Sequence, residues 1–202
     1  MAKLDFNPQA YQFEQGLKAI GLMLVAARQA LESQQAEARR EIAEYRNHVD
    51  SGGEPIGEWD GAQRLWDHED DLRLELLALA DALVELNRAA TIAIYHHWER
   101  HVPNSKNQKF RKHKNLVTDL GQAGIEVHQD IDALRFSANF LKHGNQHWIE
   151  KLREGFSKQF PMLALVESSS PVCWGTLNLS EQHVNWFLQI AKASKRPILG
   201  TL

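Results

Sequence analysis

Residues 71–90, DLRLELLALADALVELNRAA, carry the repeat that decides the fold. Apolar residues recur there at alternating steps of four and three, at positions 72, 76, 79, 83, 86 and 90. That spacing places a narrow apolar seam along a helix, which buries the seam against a neighbouring helix at a shallow crossing angle. We predict a long second helix that begins between Asp60 and Leu65 and ends near His101, because Pro103 forbids further turns.

The neighbouring helix is predicted upstream in the chain. The same rhythm of apolar residues runs from Phe13 to Val49, after a helix start signal at Asn7 and Pro8. A glycine-rich stretch at residues 51–57 ends it. Two such helices joined by a short loop form an antiparallel hairpin, which we expect over residues 8–102.

Length, charge and cysteine content limit the possible classes of protein. A chain of 202 residues buries a real core, and we predict one domain over residues 1–202. The net charge of −3 gives no global attraction to nucleic acid or membrane. Cys173 is the sole cysteine, which fits a reducing compartment, and no apolar run approaches the roughly 20 residues that span a bilayer. We therefore expect a cytoplasmic protein without a membrane partner.

The second half of the chain predicts shorter elements. A short helix is expected from Leu116 to Gly121 or Gly124, a motif helix over about 128–144, and a further helix over 147–156. In the C-terminal appendage, 156–202, the apolar runs 162–166 and 172–179 suggest a small hairpin of strands. Ser180 then caps a last helix. The predicted fold is all-α: an up-and-down helical bundle built on the long hairpin, with a small irregular or β-hairpin C-terminal segment.

The segment 134–148, LRFSANFLKHGNQHW, contains the candidate site. On a helix, a core stripe of apolar residues forms one side (Ile131, Leu134, Ala138 and Leu141). Phe136 and Phe140 fall on the opposite side. Between the two lies a polar ladder of Arg135, Asn139 and His143, each four residues from the next. Gly144 is the expected helix stop.

The polar ladder suits acid-base chemistry on a phosphodiester, because histidine moves protons near neutral pH and arginine neutralises a phosphate. The alternative is that these are solvated helix positions, with His143 a favourable cation near a helix C-terminus. Phe136 and Phe140 either pack under the C-terminal segment or form the interface of a homodimer that brings two ladders together.

Two further groups of residues have functional and structural interpretations. A basic loop around Phe110, together with the ladder helix, offers cations to RNA or another polyanion (Lys106, Lys109, Arg111, Lys112 and Lys142); the alternative is a solvated loop.

The histidine pairs 97/101 and 143/147 allow a four-histidine metal site. The alternative is that these histidines are packed in the core or partly exposed. We predict no metal and no cofactor, and no phosphate-binding glycine loop, paired-cysteine motif or nucleophile elbow is present.

The segments LRFSANFLKHG (134–144) and YHHWERH (95–101) resemble those of the HEPN superfamily, the higher eukaryote and prokaryote nucleotide-binding domains. The resemblance implies an all-α bundle, often homodimeric, whose active members are metal-independent ribonucleases of toxin-antitoxin and antiphage systems. It implies that Arg135 is the motif arginine and His143 the motif histidine, here with Phe136 after the arginine.

Three functions follow as expectations. The first is a HEPN-like RNA-binding protein or metal-independent endoribonuclease, with an antitoxin or another protein as a further partner. The second is a non-catalytic helical module for dimerisation or partner binding. The third, a metal-binding helical-bundle enzyme, requires the histidine pairs to converge.

Overall fold

The computed structural model describes residues 4–61, 63–101, 113–122, 124–165, 174–195 and 199–201. The described helices are α1 (Pro8–Asp50), α2 (His68–His101), α3 (His113–Gln122), α4 (Ile131–His143), α5 (Gln146–Phe156) and α6 (Glu181–Ala193). The described strands are β1 (Leu4–Phe6), β2 (Gly57–Asp60), β3 (Gln63–Asp67) and β4 (Leu199–Thr201). The predicted helical bundle is confirmed.

The chain divides into two compact units. The larger unit contains Met1–Met23 and Asn87–Leu202, and the smaller unit contains Leu24–Leu86. Each of the two long helices contributes one segment to each unit, so the units are not successive along the chain. The single domain over residues 1–202 stays a prediction.

The smaller unit is an antiparallel hairpin formed by the end of α1 and the start of α2. Arg46, near the end of α1, donates to Glu69 in the first turn of α2 over 2.6 Å. The predicted seam leucine Leu72 is buried, but Leu76, Leu79 and Leu83 are only half-buried, because two helices cover one side of each other. The predicted hairpin is confirmed here, as is the end of α1 before Gly52, whose φ is +90°.

The start of α2 corrects the sequence prediction. Strands β2 and β3 form an antiparallel β-hairpin, in which Glu58 pairs with Trp66 and a bulge lies between Glu58 and Trp59. A Cβ on Gly57 would lie 2.5 Å from the Trp66 carbonyl oxygen, so only glycine permits this approach of the strands. The helix begins at His68 instead of between 60 and 65, and the Asp67 carboxylate caps it by accepting from the Asp70 backbone N–H over 3.0 Å.

The larger unit holds an aromatic core around α4. Trp98, Phe140, Phe160 and Phe187 are fully buried. Helix α4 packs against both α5 and α6, and all four residues of its predicted core stripe are buried. Gly144 ends α4 with a φ of +62°, as predicted. Four residues line the predicted buried face of α6 and all are buried (Val184, Phe187, Leu188 and Ala191).

The C-terminal appendage is irregular in its described part. Short 3-10 helices occupy Pro161–Leu165 and Trp174–Thr176, where the sequence suggested strands, so the strand prediction is wrong at those residues. Residues 166–173 lie outside the described residues. Ser180 caps α6 as predicted, because its hydroxyl accepts from the His183 backbone N–H. Strand β4 pairs antiparallel with β1.

Candidate anion-binding pocket

A pocket of about 420 Å³ in the larger unit is formed by α3, the start of α4 and the segment between them. Its polar lining combines imidazole, carboxylate, guanidinium, hydroxyl and amide groups (His113, Thr118, His128, Gln129, Asp132 and Arg135). Pockets that bind small ligands commonly combine an apolar wall with a few convergent polar groups of this kind. This pocket is therefore the candidate site in the described part of the chain.

Arg135 lies where α4 brings a carboxylate and two aromatic rings around it. Its Nε donates to Asp132 Oδ1 over 2.9 Å, across one turn of the helix. Its guanidinium carbon lies 4.5 Å from the centroid of the Phe136 ring and 5.5 Å from that of Trp148. The two terminal nitrogens have no hydrogen-bond partner among the residues that the structure describes. The arginine is thus fixed in position, while two of its nitrogens remain available to an anion.

His113 contributes an imidazole to the pocket, and 8% of its side chain is exposed. Its Nε2 lies 3.2 Å from Asp132 Oδ1, at ion-pair distance but outside hydrogen-bond geometry. Its Nδ1 lies 3.2 Å from the Tyr95 hydroxyl, which also lies 3.4 Å from Glu99 Oε1. The imidazole is therefore held between a phenol and a carboxylate.

The titration of the surrounding groups follows from these contacts. His113, and to a lesser degree Arg135, lower the pKa of Asp132 against the opposing effect of burial. Asp132 is therefore ionised at neutral pH. Burial, reinforced by Glu99, raises the pKa of Tyr95, so the phenol keeps its proton.

His128 reaches the pocket from the segment before α4. Its backbone N–H donates to the buried hydroxyl of Ser194 over 2.8 Å. Its Nδ1 accepts from the Asp130 backbone N–H over 3.1 Å, so the proton of the neutral ring is on Nε2. The pocket thus contains a second imidazole with a defined tautomer.

The structure separates the residues of the predicted polar ladder. Arg135 lines the pocket, whereas Asn139 is half-buried and His143 is exposed, and neither lines it. Phe140 is fully buried within this chain, and Phe136 is buried with its ring stacked 5.8 Å from that of Trp148. These phenylalanines offer little surface to a second subunit, and the homodimer stays a prediction.

Four of the five predicted RNA-binding cations lie outside the residues that the structure describes. Lys106, Lys109, Arg111 and Lys112 lie outside the described residues, and Lys142 is exposed on α4. Sequence reasoning did not single out His113, which stands in the same lysine-rich stretch, or His128. Asp132 had a usable signal, because a carboxylate three residues before Arg135 shares its side of a helix.

The histidine pairs have other partners. His97 stacks on Phe13 and its Nε2 donates to the Phe13 carbonyl over 2.9 Å, while burial lowers its pKa. His101 Nδ1 lies 2.9 Å from the His97 carbonyl oxygen, and His143 and His147 are exposed. In the described ranges, no three histidine, cysteine, aspartate or glutamate side chains are grouped so that they could hold a metal ion.

No family model, curated protein or solved structure matches this chain. None of the helices in the described ranges combines the length and apolar character needed to cross a bilayer.

Proposed function

We propose that this chain is a HEPN-like RNA-binding protein that cleaves RNA without a metal ion, and that the pocket around Arg135 holds the scissile phosphate. The observation that supports the proposal is the pairing of a fixed arginine, with two unoccupied nitrogens, and two imidazoles in one pocket. Guanidinium groups bind phosphate oxygens in a two-point fork, and imidazoles exchange protons near neutral pH.

The reaction that suits these groups uses the 2′-hydroxyl of RNA as the nucleophile. One imidazole takes the proton of the 2′-hydroxyl, whose oxygen attacks the adjacent phosphorus. The bond from phosphorus to the 5′-oxygen breaks, and the other imidazole donates a proton to that leaving oxygen. The products are a 2′,3′-cyclic phosphate and a 5′-hydroxyl. Arg135 would stabilise the charge that develops on the non-bridging oxygens.

His128 is the better candidate for the proton donor. A donor must carry its proton when the reaction begins, and because His128 Nδ1 accepts from the Asp130 backbone N–H, the proton of the neutral ring is on Nε2. His113 is then the proposed base, with the Asp132 carboxylate 3.2 Å from its Nε2 to orient the ring. The sequence motif instead assigns proton transfer to His143, and the two assignments predict different inactive variants.

The test is cleavage of a fluorescently labelled single-stranded RNA in the presence of EDTA. Arg135→Ala and His113→Ala are expected to lower kcat by roughly 100-fold or more, because positioned acid-base groups contribute about that much. His143→Ala, on the same helix as Arg135 but outside the pocket, is the matched control and should keep its activity. An RNA with a 2′-deoxy residue at the cleavage position should not be cut.

The outcomes separate the assignments. If His143→Ala is inactive and His113→Ala is not, the motif histidine is catalytic and the pocket assignment is wrong. If wild-type protein binds the RNA but does not cut it, the pocket is a binding site only. If it neither binds nor cuts, the ribonuclease proposal fails.

A non-catalytic helical interaction module is the second candidate. Leu74 and Leu77 on α2 are 64% and 63% exposed, which is unusual for large apolar side chains on a helix. They suit contact with a second protein, such as an antitoxin or another copy of the chain.

A further inference from the structure

We propose that the smaller unit contains a separate binding site for the phosphate group of an organic phosphate monoester. The site is a groove of about 450 Å³ between α1 and α2. Three arginines and three apolar residues line it (Arg39, Ile42, Ala43, Arg46, Arg73 and Leu76).

The spacing of the lining residues explains why the arginines meet. Positions 39, 43 and 46 recur at steps of four and three, so they share one side of α1. Arg73 and Leu76 are one turn apart on α2. Since the two helices lie side by side here, the basic positions of both come together at one groove.

A single carboxylate oxygen orients two of the three guanidinium groups. Glu69 Oε1 accepts from Arg46 Nη2 over 2.6 Å and lies at ion-pair distance, 2.5 Å, from Arg73 Nη2. The Nε atoms of both arginines also donate to this oxygen, over 2.9 Å and 2.7 Å. These hydrogen bonds lower the pKa of Glu69 to about 2, so Glu69 is ionised at neutral pH and continues to hold Arg46 and Arg73.

The contacts with Glu69 leave one terminal nitrogen of Arg46 and one of Arg73 available to a ligand. Nη1 of Arg46 and of Arg73 has no partner among the described residues. Within the described ranges, the hydrogen bond of the Arg39 side chain is a 3.5 Å contact from its Nη2 to Gln35 Oε1. Guanidinium groups that are already oriented lose less conformational entropy when they bind an anion. The groove therefore presents donors in fixed positions.

The charge of the groove selects the class of anion. Three guanidinium groups against the carboxylate of Glu69, with a smaller contribution from Asp50 to Arg46, leave the groove with a net positive charge. A phosphate monoester carries about −1.5 to −2 at pH 7, whereas a carboxylate or a phosphodiester carries only about −1. The monoester is the better match to the groove.

The apolar residues of the groove, which form its floor, indicate that the phosphate is attached to an organic group. Ile42, Ala43 and Leu76 lie among the arginines and offer a surface that a base or an aliphatic chain would cover. Inorganic phosphate would use the arginines alone. A nucleoside monophosphate would use both the arginines and the floor.

The experiment is an isothermal titration of the full chain with AMP, inorganic phosphate and adenosine at low ionic strength. The test variant is Arg39→Gln, because Arg39 makes no ion pair with the residues that the structure describes and glutamine keeps the helix propensity. The matched control is Arg40→Gln, one residue along, since Arg40 pairs with Glu37 and Glu44 and does not line the groove. Arg135→Ala reports any AMP binding in the candidate pocket of the larger unit.

We expect AMP to bind and adenosine not to bind. Arg39→Gln should weaken AMP binding about tenfold, in line with the loss of a charge-assisted hydrogen bond, and Arg40→Gln should not. Equal binding of inorganic phosphate and AMP would still support the phosphate site and would identify free phosphate as the source. Stronger binding of AMP would identify an organic monoester.

Three results would overturn the proposal. They are the absence of AMP binding by wild-type chain, equal binding of adenosine and AMP, and equal affinities of Arg39→Gln and Arg40→Gln. Loss of AMP binding in Arg135→Ala alone would place the nucleotide in the candidate pocket of the larger unit. Circular dichroism of each variant confirms that the helices are retained, so an effect on binding is not an effect on folding.

Discussion

Ser194 connects three parts of the larger unit through its hydrogen bonds. Its side chain is fully buried, and its hydroxyl accepts from the His128 backbone N–H over 2.8 Å while donating to the Ile190 carbonyl over 2.9 Å. Its own carbonyl accepts from Trp98 Nε1 over 2.8 Å. The end of α6 is thereby tied to α2 and to the segment that carries His128 into the pocket.

Replacement of Ser194 by alanine tests this connection. We expect Ser194→Ala to lower the free energy of unfolding by about 1–3 kcal/mol, because the His128 N–H loses its partner in a partly buried position. Urea denaturation measures the change. Ser157→Ala is the control, since Ser157 is exposed at the end of α5, and it should change stability by less than about 0.5 kcal/mol. Equal effects of the two variants would show that the buried hydrogen bonds contribute little.

The sequence alone predicts some residues of the site but not others. Arg135 was predicted because it stands at a helical spacing from other polar residues on its own helix. His113 was not, because its partners Tyr95 and Asp132 are brought to it only by the packing of α2, α3 and α4. A periodic pattern reports which residues share one helix face, and it cannot report which faces meet.

At the scale of elements, the β-hairpin of residues 57–67 shows where periodicity misleads. The sequence continues the helical pattern of α2 upstream to Leu65, but Gly61 has a φ of +61° and turns the chain there. Trp59 and Trp66 favour strands. Local turn chemistry therefore overrode an apolar spacing that fitted a helix equally well.

Tyr45 anchors this element to α1. Its hydroxyl donates to the Ile56 carbonyl over 3.2 Å and accepts from the Ile56 backbone N–H over 2.9 Å, just before β2 begins. One phenol thus bonds both backbone groups of the residue that enters the hairpin, and the Ile56 carbonyl also accepts from the His68 backbone N–H over 2.9 Å. The aromatic ring is buried, so its packing is separable from its hydroxyl by a change to phenylalanine.

Tyr45→Phe should release the entry to the β-hairpin. We expect a loss of about 1–2 kcal/mol for two hydrogen bonds, and hydrogen exchange of the Ile56 amide faster by about tenfold or more. Tyr11→Phe is the control, because the Tyr11 side chain is 46% exposed and its hydroxyl has no hydrogen bond to the described residues. Unchanged exchange at Ile56 in Tyr45→Phe would mean that the strands alone hold this segment.

At the scale of the whole molecule, the helices and the buried side of most of them followed from the sequence. The repeats in α1 and α2 extend over many turns, and a long regular pattern leaves few alternative structures. The pattern in α4 was correct for its core stripe, but it also suggested that Phe136 and Phe140 were free for a partner. Phe136 is buried because the chain turns at Gly144 and α5 places Trp148 against its ring, and Phe140 is fully buried within the chain.

The substitution Phe140→Ala tests whether Phe140 belongs to the core of one chain or to an interface between two subunits. If Phe140 belongs to the core of one chain, the substitution should lower the free energy of unfolding by about 3–5 kcal/mol, and the loss should not depend on protein concentration. If Phe140 holds two subunits together, the wild-type melting temperature should rise with concentration, and the variant should lose that dependence. Thermal unfolding of both proteins across a hundredfold range of concentration, on the order of micromolar and above, measures the difference. Leu74→Ala, which removes an exposed side chain of the smaller unit, should leave stability within about 0.5 kcal/mol of wild type and shows the size of a surface effect.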